Sequence, residues 1–152
     1  MSRTATSLAH NGAVDVFDKI IAGTEPAEII LRTDRLIAFL DTHPLFPGHT
    51  LVCPTEHFET LYELPDDHFT ELLAAARTIA LAQKKVLNAQ GTFIANNNVV
   101  SQSVPHFHLH VVPRSKGDGL RGFFWPRSRP SAEQLRAVGD LLRAELSGAR
   151  DD

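Results

Sequence analysis

Apolar and polar positions along this chain repeat with two different periods, and the change of period marks out most of the elements. Residues 15–22 predict a short helix that ends at Gly23. Residues 28–32 and 36–41 are runs rich in Ile, Leu and Phe separated by Thr33, Asp34 and Arg35, which is the pattern of a β-hairpin. Segment 43–48 carries Pro44 and Pro47, which lack ladder donors and fix φ, so it predicts a shaped loop rather than more strand. A third strand over 49–53 follows and is stopped by Pro54. From Asp66 to about Leu87 the period becomes helical: Phe69, Leu72, Leu73, Ala76, Ala80 and Leu87 share one face, and Asp66 or Asp67 can cap the start. Residues 92–95 and 105–112 are extended again, joined by a polar loop over 96–103. Ser131 with Gln134 three positions on is a capping box ahead of Leu135, Val138, Leu141 and Leu142, which predicts a C-terminal helix. Strands in a hairpin first, then one long helix between strands, predict an α+β fold with a mostly antiparallel sheet. The organisation read from this pattern is a leader over 1–13, a domain over 14–128, and a C-terminal helix and tail over 129–152.

Composition narrows the function. The chain has 152 residues, 43% apolar and 22% charged, enough for one domain with its own core. A formal net charge of −3 gives no general attraction to nucleic acid or anionic membrane, so a small substrate is expected instead of a polyanion. No apolar run approaches the roughly 20 residues a bilayer span needs, and the N-terminus lacks the apolar stretch of a signal peptide. Cys53 is the single cysteine. These features predict a cytoplasmic protein.

The chemistry is concentrated in His106-Phe107-His108-Leu109-His110-Val111-Val112. On an extended segment alternate side chains share a face about 6.6–7 Å apart, so three imidazoles line one face while Phe107, Leu109 and Val111 turn into the core. Zinc chelation is one use of such a row, but no Cys pair, HExxH or nearby Glu completes a site. The other use is nucleophilic attack by a neutral imidazole on an α-phosphate, giving a phosphohistidine that water cleaves while the flanking imidazoles hold phosphate oxygens.

This row resembles the defining motif of the histidine triad, or HIT, nucleotide hydrolases and transferases. Ser101-Gln102-Ser103-Val104-Pro105 resembles that family's approach to the triad, and Pro47-Gly48-His49 with Leu51-Val52-Cys53-Pro54 resembles its phosphate-facing strand. The resemblance implies a five-stranded antiparallel sheet, a homodimer formed through a continuous sheet, and a small nucleotide as partner. It implies release of a nucleoside 5′-monophosphate from a dinucleoside polyphosphate, an adenosine phosphoramidate or an adenylyl sulfate. Pro47-Gly48-His49, Val52-Cys53-Pro54 and Pro113-Arg114 with Gly117-Asp118 together favour the dinucleoside polyphosphate branch. A pocket that binds nucleotide without turnover is the alternative from another class. By resemblance His108 is the nucleophile, His106 orients it, and His110 and His49 face the phosphate. Asp41 holds the ribose hydroxyls, Gln102 and Ser103 lie near phosphate and leaving group, and Leu40, Phe39, Ile20 and Phe17 form a slot for the base. No cofactor is required for the covalent step, and magnesium enters only as the companion of a polyphosphate substrate.

Three departures from the family pattern bear on the site. Many bacterial members carry a Cys-x-x-Cys pair before the first helix that binds zinc with two histidines; Asp15 and Asp18 stand there, so no metal is expected even with His57 nearby. The loop before the triad is one residue short, and Asn96 is taken to fill the family's polar position. The stretch 116–127, with Arg121, Trp125 and Arg127, differs from the short tail of the phosphoramidase branch.

Overall fold

The computed structural model describes residues 12–120 and 128–148. The elements run α1 (Val16–Ala22), β1 (Ile29–Arg32), β2 (Leu36–Leu40), β3 (Thr50–Pro54), α2 (Asp66–Val86), β4 (Gly91–Ala95), β5 (Leu109–Arg114) and α3 (Ala132–Gly148). The five strands form one sheet in the order β1-β2-β3-β5-β4, every pair antiparallel, as the α+β pattern predicts. The chain divides into two compact units, one ending at Asp118 and one beginning at Gly119, and α3 belongs to the second.

The sheet is covered on both faces of its centre. Leu36, Ala38 and Val52 pack with Leu72, Ala76 and Ile79 of α2 on one side. Ile37, Phe39, Leu51 and Cys53 pack with Phe17 and Ile20 of α1 on the other. This double burial is why β2 reads as an unbroken apolar run, Leu36-Ile37-Ala38-Phe39, with no polar alternation. α1 is short but closed at both ends. Asp15 accepts from the Phe17 and Asp18 amides at 2.8 and 2.9 Å, Asp18 accepts from the Asp15 amide at 3.1 Å, and Gly23 takes φ 78° at the C-cap.

Three expectations are corrected. First, the N-cap of α2 is Pro65 and makes no side-chain cap bond; Asp66 and Asp67 sit inside the first turn, where their charge complements the helix dipole. Second, the buried face of α2 is Leu72, Ala75, Ala76, Ile79 and Gln83, so Phe69 and Leu73, 39% and 57% exposed, lie off it. Third, the strand expected over 105–112 begins only at Leu109, so His106 and His108 precede the ladder. The Phe107 amide donates to the Phe58 carbonyl at 2.6 Å, which takes the backbone there away from its strand neighbours. Side-chain alternation survives the loss of the ladder: Phe107, Leu109 and Val111 join the α2 core, leaving the three histidines on the α1 side. The capping box of α3 forms as expected, with the Ser131 amide on Gln134 at 2.8 Å and the Gln134 amide on Ser131 at 3.2 Å. Arg121, Trp125 and Arg127 lie outside the described residues. No helix among the described residues is long and apolar enough to cross a membrane.

Gly48 has φ 94°, and a Cβ there would collide with the Leu87 side chain. Its freedom therefore serves the close packing of α2 under the 43–48 loop. Gly48→Ala is expected to destabilise the fold by about 1–3 kcal/mol through strain and overlap, read as a lowered Tm in thermal unfolding.

Candidate active site

A cavity of about 290 Å³ opens on the α1 side of the sheet. Of the residues singled out in the sequence, Phe17, Ile20, Phe39, Leu40, Asp41, Ser103, His108 and His110 line it. The apolar four give the lining the character expected around a flat ring. Glu25, Thr42, His43 and Val104 also line the cavity and were not foreseen as site residues. Glu25 belongs to the connection after α1, which carries no motif, so no sequence signal places it here.

The four remaining residues do not line the cavity. His49, 4% exposed, bonds His110; His106 is fully buried beneath His108. Asn96 donates to the His108 carbonyl at 2.9 Å. Gln102 is turned away: its oxygen accepts from the Val99 amide at 2.9 Å and its nitrogen donates to the Glu59 carbonyl at 2.6 Å. The amide of the residue expected near the phosphate is thus engaged by backbone groups at Val99 and Glu59.

Backbone groups fix which nitrogen of each ring bears hydrogen. The His106 carbonyl, which can only accept, takes a bond from His108 Nδ1 at 2.7 Å, so Nδ1 carries the proton and Nε2 keeps its lone pair. The Leu45 amide donates to His49 Nδ1 at 3.1 Å, so the His49 proton is on Nε2, 2.9 Å from His110 Nδ1. His110 then accepts at Nδ1 and carries its own proton on Nε2. A lone-pair nitrogen and an N–H donor thus stand side by side, with ring centroids 4.9 Å apart. Asp41 holds one carboxylate oxygen on the His43 amide at 2.9 Å, and its other oxygen is 3.8 Å from His49 Nε2. Gln83, a polar residue on the buried face of α2, ties the site to the helix by donating to the Gly48 and Val111 carbonyls at 2.9 and 3.1 Å.

Burial lowers the pKa of His49, His106, His108 and His110, since a charged ring loses its hydration inside the fold. For His110 burial, then the neighbouring His108 and His49, bring the value down to about 4. Neutral rings at pH 7 are what nucleophilic attack requires.

A second cluster lies at the start of α1. His57 Nδ1 is 3.2 Å from Asp18 and 3.5 Å from Asp15, and His106 Nδ1 is 3.4 and 3.7 Å from the same two carboxylates. Asp15 Oδ2 and His106 Nδ1 are buried without a hydrogen-bond partner. His106 Nε2 donates to the Pro54 carbonyl at 2.9 Å, so a neutral ring turns its lone pair towards carboxylate oxygens. These separations approach the roughly 3.4 Å edges of a tetrahedron whose centre holds a divalent ion at about 2.1 Å, so the residues fit such an ion in size and charge. The expectation that Asp15 and Asp18 hold no zinc rests on the hardness of their oxygens, a property these distances do not change.

Comparison with known proteins places the chain. A sequence profile for the HIT domain matches residues 22–117. An uncharacterized HIT-like protein of Methanocaldococcus jannaschii is 41% identical over 106 residues, covering 68% of this chain and 81% of its own. The adenosine 5′-monophosphoramidase hnt1 of Schizosaccharomyces pombe is 29% identical over 133 residues, covering 86% and 97%. The crystal structure of a HIT family member from Bacillus subtilis superposes with a TM-score of 0.76 at 34% identity, covering 86% of this chain and 95% of that one. The fold is that of the histidine triad proteins, and this chain belongs to the HIT family.

The four depressed histidines make stability depend on pH. Between the folded and unfolded pKa values the unfolded chain binds protons that the native rings refuse. Their contribution is complete above the unfolded value of 6.5 and is lost as pH falls towards about 4, the folded value for His110. In phosphate-free buffer Tm is expected to fall steadily from pH 6.5 to 4, and His110→Asn to flatten part of that slope; thermal scans across the interval check it.

Proposed function

We propose that this protein is a nucleotide hydrolase that releases a nucleoside 5′-monophosphate through a covalent nucleotidyl-His108 intermediate. The observation that carries the proposal is the 2.7 Å bond from His108 Nδ1 to the His106 carbonyl beside the cavity, which leaves Nε2 as a buried lone-pair nucleophile. In the first step Nε2 bonds to the α-phosphorus as the bond to the leaving group breaks. The positive charge that develops on the His108 ring is stabilised by its N–H to that carbonyl. His110 Nε2–H donates to a non-bridging phosphate oxygen, and the Ser103 hydroxyl on the same wall passes a proton to the leaving nitrogen, which departs as a neutral amine. In the second step water attacks phosphorus and returns a proton to the Ser103 oxygen, the N–P bond breaks, and Nε2 regains its lone pair. Asp41 accepts from the ribose hydroxyls, and Phe17, Ile20, Phe39 and Leu40 hold the base.

The leaving group is proposed to be an amine at phosphorus. The curated fungal relatives are named adenosine 5′-monophosphoramidases. Of the residues that favoured a dinucleoside polyphosphate, Arg114 is engaged by Asp118 at 2.6 and 3.0 Å. The Asp15–Asp18–His57–His106 cluster can hold a structural cation, and no step above passes through it.

His108→Ala is expected to lower kcat by about 10⁴-fold or more with adenosine phosphoramidate, because the nucleophile has no substitute. Intact-protein mass spectrometry at short times should find one adenylyl group on the wild type and none on the variant. Faster release of AMP from diadenosine triphosphate than from the phosphoramidate would reverse the order of substrates proposed. A nucleotide that raises Tm yet is never consumed would replace the enzyme with a binding module.

A further inference from the structure

The nucleophile sits where the sheet stops. β4 ends at Ala95 and β5 begins at Leu109, with Ala95 opposite His110 as the last pair of that ladder. One residue beyond each strand, Asn96 Nδ2 donates to the His108 carbonyl at 2.9 Å. A side-chain amide thus supplies the next rung of the ladder, at the residue that must not move. An amide can flip, and the flipped form would set an oxygen against that carbonyl. Asn98 prevents it. Its nitrogen donates to Asn96 Oδ1 at 2.6 Å, and its oxygen accepts from the Leu61 amide at 2.6 Å. The loop pays for this in backbone strain. Val99 and Ser101 have φ of 67° and 62°, and Val99 is β-branched, among the residues least suited to that region. Gln102 restrains the strained turn by bonding the Val99 amide and the Glu59 carbonyl. Two ties therefore run from the loop to one turn, residues 59–61.

We infer that Asn98 is a positioning residue for His108: it fixes the amide of Asn96 so that a side chain extends the β4–β5 ladder to the nucleophile. The inference rests on the proposed role of His108. Asn98→Asp separates this role from folding, because the carboxylate still accepts from the Leu61 amide but can no longer donate to Asn96 and repels its oxygen. Neither residue lines the cavity. kcat with adenosine phosphoramidate should fall ten- to a hundredfold through misplacement of the reacting nitrogen, with KM within about twofold and Tm close to the wild type. Asn96→Ala should lose a similar factor, and Asn96→Ala with Asn98→Asp no more than Asn96→Ala alone, since both break one chain of bonds.

Nuclear magnetic resonance of the ring carbons gives a readout independent of turnover. In Asn98→Asp the His108 ring signals should shift and broaden while those of His49, held by Leu45 and His110, stay in place. Unchanged His108 signals, full kcat in Asn98→Asp, or losses that multiply in the double variant would overturn the inference. A wild type without adduct or turnover but with the His108 signals displaced in Asn98→Asp would sink the catalytic proposal and leave the positioning relay standing.

Discussion

The bond from His108 Nδ1 to the carbonyl of His106 is the constraint on which the site depends. It is made between residues two apart, so it needs no distant element to close it, yet it holds only if the backbone at His106 is itself immobile. Three contacts secure that. His106 is fully buried and donates to the Pro54 carbonyl at the end of β3, Phe107 sinks into the core under α2, and the Phe107 amide bonds Phe58. A local bond becomes a fixed tautomer because the core on both faces of the sheet holds its acceptor.

The same logic runs through the second pair. His110 lies in β5, and the Leu45 amide reaches it through His49. That amide comes from the loop between Pro44 and Pro47, and Gly48 lets α2 close beneath it. Two backbone groups, one carbonyl and one amide, therefore assign opposite roles to two chemically identical rings. Burial keeps both rings neutral, so the assignment persists at neutral pH instead of being erased by protonation.

Much of this was legible in the sequence. The five strands, the three helices and the capping box of α3 follow from period and spacing, because each is set by neighbours in sequence or by the face a residue presents, whereas the apolar slot from Phe17 to Leu40 came only through the resemblance to the histidine triad family. The misplacements have a common cause. The strand period of 105–112 could not show that pairing stops at Leu109, since side-chain alternation continues without ladder bonds. The face of α2 was misassigned through Phe69 and Leu73 because an apolar residue at helical spacing need not face the core, while the polar Gln83 does. Gln102 and Asn98 hold loops by tertiary hydrogen bonds to 59–61, and residue type cannot distinguish that use from contact with phosphate. Asp15 and Asp18 were weighed as poor substitutes for cysteine with His57 nearby, and the fold adds His106 to them.

The assignment of tautomers is the central claim, and long-range ¹⁵N–¹H correlation on uniformly labelled protein at pH 7 measures it directly, without substrate. The account expects His108 to show a protonated Nδ1 and a lone-pair Nε2, and His110 the reverse. A His108 ring protonated at Nε2, alone or as part of a charged ring, would contradict it, because it leaves no lone pair on the nitrogen that faces phosphorus.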